Sequence, residues 1–126
     1  MPEPAPGAGE RLLPAERLRR RADYLRCYRT GRRRHGAAAL IYFAPNPLGH
    51  PRLGITASRK VGNAVVRQRL KRRIREIYRR WTDRAKLPPL DLVVHLKNEA
   101  GTTTFQALQA ELERLLGSLL PRRGGA

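Results

Sequence analysis

The chain has 126 residues, with 27 Lys plus Arg against 10 Asp plus Glu and a formal net charge of +17. That is the length of one modest domain, and a field of that strength selects polyanionic partners, nucleic acid or an anionic surface. The longest apolar run, Ala37–Ala44, falls far short of the roughly 20 residues a spanning helix needs, and the N-terminus lacks the basic-then-apolar order of a secretory signal.

Residues 1–15 are rich in Pro, Gly and Ala and are expected to form a disordered tail, as are residues 121–126, around a single domain at 16–120. Asp23–Thr30 reads as a short helix with Asp23 as a possible N-cap and Gly31 as its stop. Tyr24 and Tyr28 are four apart and share one face of it. Cys27, the one cysteine, excludes an internal disulfide and a thiolate zinc site. Ala38–Ala44 reads as a strand closed by the Pro45-Asn46-Pro47 turn. In Arg52–Ser58, Leu53, Ile55 and Ala57 alternate with polar residues, the pattern of a half-buried strand.

Asn63 is a good N-cap for the clearest element of the chain. Val66, Leu70, Ile74, Ile77 and Trp81 recur at spacings of 4, 4, 3 and 4, a narrow apolar stripe that fits a core. The remaining faces carry Arg67, Arg69, Lys71, Arg72, Arg73, Arg75, Arg79 and Arg80. Arg67, Lys71, Arg75 and Arg79 form an i,i+4 ladder of one sign, and each like-charge pair costs a few tenths of a kcal/mol. A solvated face usually mixes its signs, so the ladder points to a polyanion. A second Arg-rich cluster occupies 17–34 with Asp23 as its acid. Arginine outnumbers lysine, and guanidinium binds phosphate bidentately and stacks on bases, which suits RNA. Further on, Leu90–Leu96 reads as a strand. Thr103 and Gln106 read as a capping box opening a last helix with Phe105, Leu108, Leu112, Leu115 and Leu119 inward and an ordinary polar face of Glu111, Glu113 and Arg114.

Helix, strands, helix, strand and helix make the class α/β or α+β, and the unit 52–96 would by default be a right-handed crossover. The acids are scattered, His35, His50 and His95 are isolated, and no phosphate loop or metalloprotease motif occurs. The residues therefore describe a binder without a catalytic residue of its own, such as a general or ribosomal RNA-binding protein or, far less favoured, a helix-based DNA-binding regulator.

The stretch Lys60–Glu76, KVGNAVVRQRLKRRIRE, closely resembles the signature of the bacterial ribonuclease P protein component, and Arg52–Arg59, RLGITASR, resembles the strand leading into it. Asp23-Tyr24-x-x-Cys27-Tyr28-x-x-Gly31 is similar to the family's D-F-x-x-V-F-x-x-G. The likeness runs over about 17–118. Gln68 stands where the family has Asn, and Tyr24 and Tyr28 stand where it has Phe.

The resemblance implies an α/β two-layer sandwich with a small mixed sheet and a left-handed βαβ crossover, similar to a ribosomal-protein domain. It also implies a holoenzyme in which ribonuclease P RNA, with Mg²⁺ bound mainly by that RNA, removes the 5′ leader of precursor tRNA. By the same resemblance Asn63, Arg67, Gln68, Arg69, Lys71, Arg72 and Arg75 would touch the RNA subunit, with the helix start near the substrate and its metal. Tyr24, Tyr28, Tyr42, Thr56, Ser58, Arg59 and Lys60 would build the leader cleft. The expected localisation is cytoplasmic, with no membrane and no small-molecule substrate, and no metal-ligating residue of the protein is assigned.

Overall fold

Alternating apolar residues put strands into one mixed sheet, seen in a computed structural model that describes residues 12–30 and 32–121. β1 (Arg33–His35), β2 (Ala39–Pro45), β3 (Arg52–Ala57) and β4 (Leu90–Leu96) lie in the order β1-β2-β4-β3. β4 runs antiparallel to β2 and parallel to β3, so β3 and β4 are neighbours joined through a helix. β1 was not expected. Its Arg-Arg-His sequence has no apolar alternation, and only pairing with β2 makes it a strand.

The inward set of each strand lies against α2 (Ala64–Arg80) and α3 (Phe105–Gly117). Ile41, Phe43, Leu53, Ile55, Leu92, Val94 and Leu96 meet Leu70, Ile74, Ile77, Leu108, Leu112, Leu115 and Leu116 in the main core. Burying each such side chain is worth about 1.5–3 kcal/mol before the entropy of ordering it. The opposite face is crossed by α1 (Arg21–Thr30), where Leu18, Cys27, Ala44 and Val93 form a smaller cluster flanked by Tyr24, Tyr28 and Tyr42. The thiol of Cys27 is fully buried, and burial, then the Asp91 charge, pushes it up to about 11, so it serves as a small apolar group.

Several boundaries differ from expectation for local reasons. α1 begins two residues early, at Arg21, so Asp23 lies inside the first turn and pairs with Arg52 at 3.5 Å. An acid there also meets the positive end of the helix dipole. Gly31, expected as the stop, lies outside the described residues. α3 is capped by Thr104, whose hydroxyl accepts from Ala107 N at 3.1 Å, and not by Thr103. Thr102 closes the preceding turn on Glu99 O, which shifts the helix start by one. Trp81 ends α2 in an extended conformation while staying buried.

Of the expected tail 1–15, residues 1–11 lie outside the described residues, but Leu12 is buried in the main core and Leu13 N donates to Glu16 Oε1 at 2.8 Å. At the other end residues 122–126 lie outside the described residues. The polar face of α3 is not ordinary either. Glu111 accepts from Ala38 N at 2.9 Å and Ala39 N at 2.8 Å, capping the start of β2. Among the described residues no helix is long and apolar enough to cross a membrane.

Candidate nucleic-acid interface

The i,i+4 ladder owes its position to the stripe behind it. Leu70, Ile74, Ile77 and Tyr78 are buried, which turns the rest of α2 outward. Asn63 caps the helix, its Oδ1 accepting from Val66 N at 2.9 Å, as expected from sequence. That oxygen is occupied by the cap. Arg67 Nε donates to Gly62 O at 3.2 Å, fixing the first basic side chain against the entry turn.

At about 100° per residue, Arg67, Gln68, Lys71, Arg72 and Arg75 fall within an arc of about 140°. Arg69 does not. It stands about 160° from Lys71, on the flank shared with Arg73, whose guanidinium lies 5.8 Å from the Phe105 ring of α3. The seven residues expected on one RNA-facing surface are therefore split, and an RNA touching both Arg67 and Arg69 must straddle the crest of the helix. Glu76 pairs with Arg80 at 3.8 Å on that second flank.

The ladder flank lies near Arg17 and near Tyr24 of α1. Burial, then the neighbouring Arg17 charge, lowers the Arg75 guanidinium below its ordinary value, with Tyr24 acting the other way. Tyr24 lies on the cleft face of β3. Its hydroxyl donates to Leu18 O at 3.4 Å, and a Cβ built on Gly54 would lie 2.6–2.8 Å from its ring and hydroxyl atoms. Gly54 is there because Tyr24 needs the space. Gly54→Ala should therefore cost about 1–3 kcal/mol through overpacking. The cost should vanish in a Tyr24→Ala background, a coupling that urea unfolding of the four-member cycle measures.

Beyond Tyr24 the cleft is a polar and aromatic chain. The Tyr28 hydroxyl is 3.1 Å from Thr56 Oγ1, which is 2.9 Å from His95 Nδ1. With a neutral imidazole the chain can run either way: Tyr28 donates to Thr56 and Thr56 to Nδ1, or Nδ1–H donates to Thr56 and Thr56 to Tyr28. Burial, then the Lys97 charge, lowers the His95 imidazole below its ordinary value and favours that neutral form. Tyr28 and Tyr42 meet edge to face at 4.6 Å, and Tyr42 and His95 at 6.4 Å. Tyr24, Leu25, Tyr28 and Thr56, with Arg19 and Arg21, line a cavity of about 320 Å³. So Tyr24, Tyr28, Tyr42 and Thr56 are brought together. Ser58, Arg59 and Lys60 are exposed on the turn leading from β3 into α2, between the tyrosines and the ladder.

Sequence reasoning missed His95, Arg19 and Arg21. The signal for His95 was available: it sits in the strand 90–96 out of phase with Leu92, Val94 and Leu96, hence on the other face of the sheet. Among the described residues no group of three or more His, Cys, Asp or Glu could hold a metal ion.

A second buried site holds this arrangement in place. Asp91 is fully buried, with Arg52 Nε at 2.8 Å from Oδ1, Arg52 Nη2 at 2.7 Å from Oδ2, Asn46 Nδ2 at 2.9 Å from Oδ1, and Arg26 of α1 bonded to Oδ2. Arg26 also donates to Pro45 O at 2.6 Å. The carboxylate thus ties α1 to β2, β3 and β4 beside the cleft.

The family model described as Ribonuclease P matches residues 12–120. The ribonuclease P protein component of Syntrophus aciditrophicus is 39% identical over 111 residues, covering 88% of this chain and 89% of that one. That of Desulfovibrio desulfuricans is 40% identical over 114 residues, covering 87% and 82%. Among solved structures, the ribonuclease P protein of Staphylococcus aureus superposes with a TM-score of 0.76 at 30% identity over 84% of this chain and 98% of that one. The protein of Thermotoga maritima superposes at 0.72 with 32% identity over 84% and 99%. With a one-sign basic helix, an aromatic cleft beside it and these likenesses over nearly its whole described length, the chain belongs to the ribonuclease P protein component family.

Proposed function

We propose that the chain is the protein subunit of a ribonuclease P holoenzyme in which the RNA subunit performs the cleavage. α2 binds ribonuclease P RNA through Arg67, Gln68, Lys71, Arg72 and Arg75, with Arg69 reaching a second segment across the crest. The cleft of Tyr24, Tyr28, Tyr42, Thr56 and His95 takes the single-stranded 5′ leader of precursor tRNA, with Ser58, Arg59 and Lys60 at its entry. Aromatic faces suit this role, because base stacking is worth about 1–3 kcal/mol per base and tolerates any sequence. Mg²⁺ is assigned mainly to the RNA; among the described residues no His, Cys, Asp or Glu group gathers three members, and Asp91 is committed to arginines. Such a role places the protein in the cytoplasm.

The observation that carries this proposal is the adjacency of the two surfaces: β3, whose Gly54 and Thr56 meet Tyr24 and Tyr28, runs through the exposed turn of Ser58, Arg59 and Lys60 straight into the basic helix. The chain's own contribution is to bind, orient and neutralise, holding the leader where the RNA can act. The test is cleavage of precursor tRNA by a bacterial ribonuclease P RNA at low Mg²⁺. Adding the protein should raise the rate, and Tyr28→Ala should remove part of the gain for leader-bearing substrate while leaving affinity for leaderless tRNA unchanged. Cleavage indifferent to added protein would refute the assignment.

A further inference from the structure

The arginines that follow α1 take no part in either surface described so far. β1 is an edge strand, and all three of its residues are exposed. Its register with β2 sets Arg33 opposite Tyr42 and His35 opposite Leu40. Directly opposed residues of an antiparallel pair stand on one sheet face, so Arg33 and His35 share the face of Tyr42 and of the cleft. Arg34 takes the other face, its guanidinium 5.0 Å from the ring of Phe43 in the main core.

The register continues across the whole sheet. Thr56, His95, Leu40 and His35 form one transverse row, and Gly54, Val93, Tyr42 and Arg33 the next. Three strand-to-strand gaps of about 4.8 Å make such a row about 14 Å long. α1 crosses this face, packing Tyr24 over Gly54 and meeting Phe43 O through Thr30. The row of Thr56 and His95 lies along its side and ends at His35, while the row of Gly54, Val93 and Tyr42 ends at Arg33. Neither of those two side chains has a protein partner among the described residues. Discouraging edge-to-edge pairing accounts for charge on β1, but it does not select a face. A basic group beside an aromatic one, as Arg33 stands opposite Tyr42, is the arrangement single-stranded nucleic-acid grooves use, with bases stacked and the backbone tracked by cations.

We propose that the leader groove continues past Tyr42 to the β1 edge. There Arg33 holds a phosphate, and His35 a neighbouring base or phosphate, of leader nucleotides further from the cleavage point than those against Tyr28 and Tyr42. The proposal rests on the leader-binding function above.

It is tested with holoenzyme reconstituted on a bacterial ribonuclease P RNA and precursor tRNAs whose leaders are lengthened one nucleotide at a time. Wild-type affinity should rise with leader length and then level off. The Arg33→Gln/His35→Gln variant should match wild type on short leaders and level off earlier. On the longest leaders its slope of log K against log salt should be shallower by about 0.7, the amount expected for one single-strand phosphate contact. Arg34→Gln, on the opposite face, should reproduce the wild-type curve. Equality with wild type at every length would overturn the proposal. So would the same loss at every length, leaderless tRNA included, which would assign the edge to the RNA subunit or the tRNA body. If Tyr28→Ala weakens short leaders while the double variant has no length-dependent effect, only the β1 extension fails. If affinity ignores leader length even in wild type, the leader function fails and the extension with it.

Discussion

Asp91→Ala should destabilise the protein by about 3–5 kcal/mol, the range for removing one partner of a buried ion pair. Arg26, Arg52 and Asn46 would lose the acceptor they converge on, and the carboxylate itself is fully buried. For a domain of about 100 residues each kcal/mol moves Tm by roughly 4–8 °C, so the melting temperature should fall by at least about 12 °C. Urea unfolding followed by circular dichroism measures it. A loss under about 1 kcal/mol would equate the cluster with an exposed ion pair. The functional consequence follows from position. Asp91 anchors α1 through Arg26, and α1 carries Tyr24 and Tyr28, so any variant that still folds should also loosen the cleft wall.

Converting Arg67, Lys71 and Arg75 together to Gln should have the opposite profile, with stability kept and RNA binding lost. The variant relieves three like-charge i,i+4 contacts, Arg67–Lys71, Lys71–Arg75 and Arg75–Arg79, a gain of a few tenths of a kcal/mol each. It gives up the Arg67–Gly62 hydrogen bond, worth about 1 kcal/mol. Stability should therefore stay within about 1 kcal/mol of wild type. Each phosphate contact contributes about 0.7–0.9 to the slope of log K against log salt, so losing three should flatten it by about 2–3. Filter binding to structured ribonuclease P RNA over a salt series provides the readout. An unchanged slope would show that these residues do not meet phosphate, and a collapse of Tm would show that they hold the fold.

The two variants also mark what could be read from the chain. The ladder was legible because helical periodicity is local: a stripe every three to four residues fixes which face is buried, and like charges tolerated on the remainder declare a polyanion. Asp91 was not legible as a hub, for its partners lie 39, 45 and 65 positions away and only the fold brings them to one carboxylate. Arg69 shows the limit within a single helix. It belongs to the same motif as Arg67, yet two residues of rotation carry it to the far flank.

By itself the sequence determined the charge, the cap at Asn63, the inward stripes of α2 and α3, the strands β2 to β4 and the family, since each of these rests on local spacing or on a contiguous motif. The tertiary structure alone decided that Arg33–His35 is a strand, that Glu111 caps β2, that Thr104 rather than Thr103 opens α3, and that His95 joins Tyr28, Thr56 and Tyr42. Those features depend on pairing between distant segments, and a polar side chain carries no local mark of which backbone or ring it will meet.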